Sequence, residues 1–182
     1  MAYILDLDLD IKRPQEFNAL RKFVDAYKEY LVALGDRLPK SVRDFVLTEW
    51  YWDYNSHRCP YDAWVESLEI TQPADGQRHQ NREIAIKSRL LAPYHDGKIE
   101  FKYSNVINYS LVMPVENNRR AQTGHDGWRI DEIRLSNDGN LIHEIRFKSG
   151  AQWLIESHNI EYTWIGGSDS GSGPSTRSRG QT

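Results

Sequence analysis

The chain has 182 residues, 39% hydrophobic and 27% charged, a globular balance that excludes a disordered or collagen-like protein and fits one main core with extensions. Its net charge is −3, and the last seventeen residues hold one Asp and two Arg, so the rest carries −4. That sign argues against a nucleic-acid partner, which calls for a clustered basic surface; it suits a basic protein partner but is more simply the ordinary charge of a soluble cytoplasmic domain.

At the N-terminus Tyr3, Leu5, Leu7, Leu9 and Ile11 alternate with Ile4, Asp6, Asp8 and Asp10, the period of a strand with one buried and one wet face. The same aspartates stand where a secretory signal needs a basic end and an unbroken apolar stretch, and no apolar run approaches ~20 residues. The expectation is a cytoplasmic protein with no membrane span. After Pro14, the residues Phe17, Leu20, Phe23, Val24, Tyr27 and Leu31 recur at helical spacing, and Gly35 supplies a stop. A shorter helical pattern follows Pro39 through Val42, Phe45, Val46 and Glu49 to Trp50-Tyr51-Trp52.

From Ala63 on, short alternating runs separated by turn residues predict antiparallel strands at 63–70, 82–91, 98–103, 106–113, 128–135, 141–147, 151–156 and 160–164. His95-Asp96-Gly97-Lys98 and Asn137-Asp138-Gly139-Asn140 carry the Asp-Gly chemistry of tight hairpins. Leu141, His143, Ile145 and Phe147 share one strand face, which draws the His143 ring toward the apolar side. The alternation slips between Trp128/Ile130 and Ile133/Leu135, and a β-bulge at Asp131-Glu132 would absorb it. The segment 114–127 holds Asn117-Asn118-Arg119-Arg120 and reads as a contact loop, and 166–182, with five Gly and five Ser, reads as a flexible tail. The predicted organisation is therefore a strand and helical segment at 1–56, an antiparallel β domain at 57–165 sharing one core with it, and the tail. The fold class is α+β, with the N-terminal strand and helices packed on a large twisted antiparallel sheet, half-barrel or sandwich-like.

Motifs with chemical content are sparse. Asp6, Asp8 and Asp10 lie ~6.5 Å apart along a strand, too far for one cation without strong convergence, and read as a solvated face that resists edge pairing. The single cysteine, Cys59, excludes an internal disulfide, and within His57-Arg-Cys-Pro-Tyr-Asp62 it reads as a packed turn residue more than as a nucleophile. His125, Asp126, Asp131, His143 and Glu144 form the densest set of potential metal or acid-base groups, without a tight ligand spacing. Six Trp and ten Tyr exceed what a small core needs and suit interface anchors, with Trp50, Trp52, Trp64 and Trp128 nearest the loops.

The stretches Cys59-Pro-Tyr-Asp-Ala-Trp-Val-Glu-Ser-Leu-Glu-Ile70, Leu91-Ala-Pro-Tyr-His-Asp-Gly97, Gly127-Trp-Arg-Ile-Asp-Glu-Ile-Arg-Leu135, Leu141-Ile-His-Glu-Ile-Arg-Phe147 and Trp153-Leu-Ile-Glu156 resemble parts of a group of small bacterial domains. Some of these are similar to immunity proteins of polymorphic toxin systems. The resemblance spans about 59–164 and lies in acidic, aromatic strands joined by Asp-Gly turns. It implies a β-rich binding module without chemistry or cofactor of its own, whose partner is a cognate protein toxin. No residue role is carried over from the resemblance; the expected contact residues, chosen as aromatic and charged groups at loops and sheet ends, are Asp62, Trp64, Arg119, Arg120, His125, Asp126, Trp128, Asp131 and Glu132. Two other classes remain open: a small metal-dependent hydrolase or nuclease using the His/Asp/Glu set, and an oligomeric structural domain whose aromatics close a self-interface.

Overall fold

A computed structural model describes residues 14–113 and 124–166. The predicted N-terminal strand, the tail beyond Gly166, and Arg119 and Arg120 lie outside the described residues. Helix α1 spans Pro14–Leu34 and passes at Gly35, φ 52°, into a short 3-10 turn, Gly35–Arg37. The second helical pattern is divided in two, α2 (Lys40–Val46) and α3 (Glu49–Trp52), because the Thr48 side chain and backbone N–H both turn back to the Phe45 carbonyl.

The strands are β1 (Trp64–Thr71), a two-residue ribbon of β2 (Ala74–Asp75) and β3 (Asn81–Arg82), β4 (Ala85–Leu91), β5 (Gly97–Val112), β6 (Trp128–Leu135), β7 (Leu141–Phe147) and β8 (Gln152–Gly166). Six of them form one antiparallel sheet in the order β1-β4-β5-β8-β7-β6. The chain is thus α+β, and the sheet curls without closing into a barrel. At one point the edge strands meet: Trp64 bridges Gly127, with Asp62 N–H donating to the Trp128 carbonyl at 2.8 Å and Trp128 N–H donating to Ala63 at 2.9 Å.

The curl comes from two long strands. The sequence pattern divides 98–113 and 151–164 into four strands, but β5 and β8 are continuous and paired along their length. Both pass polar residues at the same level, Ser104-Asn105 facing Ser157-His158-Asn159, where Asn105 takes φ 52° and a register shift falls between Val106 and Asn108. A bulge bends a strand without ending its ladder, so alternation breaks where hydrogen bonding does not. One half of the sheet, β1-β4-β5, is thereby folded toward the other, and the Phe101 ring stacks on Trp128 at 5.4 Å.

Helices and sheet share one core, in which Tyr27, Leu31, Val42, Phe45 and Tyr51 pack with Ile86, Phe101, Tyr103, Trp128, Ile145 and Ile155. The Tyr27 hydroxyl donates to the Ile133 carbonyl at 2.7 Å and accepts from Ile133 N–H, and Tyr30 accepts from Leu135 N–H at 3.4 Å. Two tyrosines of α1 therefore cap the open edge of β6.

The turns refine the Asp-Gly reading. Gly139 takes φ 84° in the β6–β7 hairpin as expected, whereas in the β4–β5 turn His95 carries the positive φ, 59°. Gly97 is required for another reason: a Cβ there would stand 2.5 Å from the Trp164 ring and 2.9 Å from the Ile165 carbonyl oxygen. The bulge expected at Asp131-Glu132 lies between Trp128 and Ile130, because Trp128 turns inward opposite Phe147. The slip two residues earlier places Asp131, Ile133 and Leu135 in one phase.

Candidate protein-contact site

The densest polar cluster of the sequence is internal. Asp131, 7% exposed, accepts from Trp128 Nε1 at 3.0 Å, from the Tyr51 hydroxyl at 2.6 Å and from His143 Nε2 at 3.1 Å. The other ring nitrogen of His143 meets the Tyr103 hydroxyl at 2.9 Å. Trp128, Glu132 and His143 are fully buried. The expectation that Trp128, Asp131 and Glu132 present a contact face is therefore corrected: the shifted bulge turns Trp128 and Asp131 into the core, and Glu132 has no surface to offer.

This cluster ties α3 to β5, β6 and β7 and has little of what a reaction needs. Its adjoining cavity, lined by Tyr51, Cys59, Trp128 and Asp131 among others, measures about 20 Å³, room for a single water. Burial raises the Tyr51 and Tyr103 phenols well above their ordinary values and pushes the Cys59 thiol up to about 12, so Cys59 is no thiolate. The thiol donates to the Tyr51 carbonyl at 3.1 Å, the packed turn residue that its place before Pro60 suggests.

The His/Asp/Glu set of the hydrolase reading is dispersed. Only Asp131 and His143 meet. His125 packs on Phe147 and Trp153 and accepts from Trp153 Nε1 at 3.1 Å, and burial holds its imidazole below the usual range. The Asp126 carboxylate accepts from Gly127 N–H at 2.7 Å. Glu144, on the opposite face of β7, accepts from Arg134 and Arg146. Among the described residues no three His, Cys, Asp or Glu side chains converge as metal ligands.

Among the described residues, all the exposed aromatics but Tyr109 of β5 lie near the point where the two sheet edges meet. Trp64 is 53% exposed, Tyr94 49% and Tyr54 39%, whereas Trp50 and Trp52 are partly buried. Tyr54 stands on the loop 53–63, Trp64 at the first position of β1 and Tyr94 on the β4–β5 turn, 92–96. Tight backbone bonds fix that loop: Ser56 N–H to Asp53 at 2.8 Å, Cys59 N–H to Ser56 at 3.1 Å and Ala63 N–H to Pro60 at 2.9 Å. Cys59 and Pro60 are its buried anchors, and the Tyr162 hydroxyl donates to the Arg58 carbonyl at 2.7 Å.

The side chains of this rim hold one another. Tyr54 lies 4.5 Å from Tyr61, His57 stacks on Tyr94 at 4.2 Å, and Trp64 meets His95 edge-on at 5.8 Å. His57 pairs with Asp96, Lys98 with Glu66 at 2.7 Å, and Lys148 with Asp62 while lying over the Tyr61 ring. Burial pulls the Lys148 ammonium down and the Asp62 carboxylate pushes it up, with a net upward shift. The charged side chains of the rim include the carboxylates Glu49, Asp53, Asp62, Glu66, Asp96 and Asp126 and the cations Arg58, Lys98, Arg129 and Lys148.

Of the predicted contact residues, Asp62 and Trp64 belong to this rim, and His125 and Asp126 are half-buried beside the bridged residue Gly127. Tyr54, Tyr61 and Tyr94 were not singled out by sequence. The signal that could have found them is the density of aromatics and turn formers in 50–64 and 92–97. The class defined by fold and site is an α+β domain with an aromatic, acidic rim on the seam of a curled sheet. No protein-family model matches the chain, and no curated protein sequence does either.

Proposed function

We propose that the chain is a non-enzymatic protein-binding module of immunity type, which occupies and silences a cognate toxin through the aromatic rim. The observation that carries the reading is Trp64, half in solvent at the seam and edge-on to His95, with Tyr94 and Tyr54 also exposed on turns held by backbone hydrogen bonds. Large rigid side chains lose little entropy on binding and supply most of the energy of typical interfaces. The excess of carboxylates suits a basic toxin surface and would speed its capture.

The experiment is co-expression with the product of the adjacent gene, scored for relief of growth arrest and for a co-purifying complex. Wild type is expected to give both. Trp64→Ala with Tyr94→Ala should fold normally and lose both, and a variant that protects as well as wild type would remove the rim from the proposal.

A further inference from the structure

Among the described residues the sheet has two edge strands, β1 and β6, each protected in a recognisable way, and a third open stretch along an interior strand. The β6 edge is capped by Tyr27 and Tyr30. The β1 edge is bulged between Val65 and Ser67 and carries Glu66 and Glu69, charge and irregularity being the ordinary defences against strand addition. The third is the far half of β5. Partner strand β4 covers β5 only from Lys98 to Tyr103, after which a single bond, Val106 N–H to the Ile84 carbonyl at 2.9 Å, closes the contact. Beyond it, β5 pairs with β8 on one side, and among the described residues no strand pairs with it on the other.

This edge has neither defence. Residues 104–113 contain no charged side chain and no proline. Ile107 is 52% exposed, Tyr109 40%, Val112 52% and Met113 45%. Tyr109 and Leu111 lie opposite Ile155 and Trp153 of β8, both buried, so an added strand would continue an existing apolar layer.

We propose that this edge receives a second copy of the same chain, the two β5 strands pairing antiparallel about a two-fold axis. Such pairing brings a strand against itself, so any charge would meet its like; the absence of charge over 104–113 makes self-pairing free of repulsion. It also leaves a charged foreign partner without an electrostatic foothold. An axis at Ser110 sets Tyr109 opposite Leu111 of the second copy on one face and Ser110 opposite Ser110 on the other.

The test is light scattering of the full chain over a wide concentration series, with Ser110→Lys and Ser110→Glu alone and mixed one to one. Ser110 is exposed, so the substitutions leave the fold intact, which circular dichroism verifies. Wild type should double its mass as concentration rises, with amide exchange slowing at 107–112. Each charged variant alone should stay monomeric, and the mixture should recover the doubled mass. A wild type that is monomeric at every concentration with unchanged exchange at 107–112 overturns the proposal, as do charged variants that still dimerise or a mixture that stays monomeric.

Discussion

Replacing Asp131 by Ala probes the buried network most severely. The carboxylate accepts from Trp128 Nε1, Tyr51 and His143 at 3.0, 2.6 and 3.1 Å, and all three donors are buried. Each donor left without an acceptor costs about 1–3 kcal/mol. Three would give about 3–9 kcal/mol, offset by the relief of no longer burying a carboxylate, so the expected loss is about 3–5 kcal/mol. That is a large share of the ~5–15 kcal/mol by which a domain is stable. Urea titration followed by near-ultraviolet circular dichroism measures it, and the midpoint should fall with little change in slope. Asp131→Asn, which keeps an acceptor but sets an amide among donors, should lose less. A loss below ~1 kcal/mol for the alanine variant would refute the network as a source of stability.

Trp128→Ala should destabilise by about 3–5 kcal/mol in the same titration, as expected of a buried ring, and a change under ~0.5 kcal/mol would return the residue to the surface. Tyr27→Phe should cost about 1–3 kcal/mol and speed amide exchange at Ile133, since the hydroxyl serves both backbone groups of that residue. The Cys59 thiol should resist disulfide reagents until the chain unfolds. Its folded value of about 12 lies above that of an unfolded thiol, so this contribution to stability is complete below ~8.5 and falls as pH rises above it. Cys59→Ala should flatten the pH dependence of the unfolding free energy between ~9 and ~10, below the range where the Tyr51 and Tyr103 phenols join; an unchanged slope contradicts the assignment.

The sheet was legible because alternation survives wherever one face is buried. Leu141, His143, Ile145 and Phe147 lie inward as their spacing requires, and the imidazole follows its apolar neighbours. What periodicity could not convey was continuity through bends: at Asn105 and His158 the pattern breaks while the ladder of β5 and β8 runs on. Likewise the slip around Asp131 was visible, but not which residue yields. The pull of the Trp128 ring toward Phe101 and Phe147, a long-range contact, moved the bulge to Arg129 and with it the supposed contact face into the core. The rim was hidden for a related reason. Trp64 and the turn that carries Tyr94 are neighbours through the β1–β4 pairing, and the loop that carries Tyr54 joins them through the stack of His57 on Tyr94, contacts between distant parts of the chain of which local spacing carries no trace.

Calorimetric titration of the adjacent gene's product into wild type and Trp64→Ala reads the proposed binding of a protein toxin by the rim. A one-to-one complex is predicted, weakened by Trp64→Ala by about 2 kcal/mol or more, roughly thirtyfold in affinity, at unchanged thermal stability. No complex with wild type, or one that Trp64→Ala leaves at full strength, would contradict it.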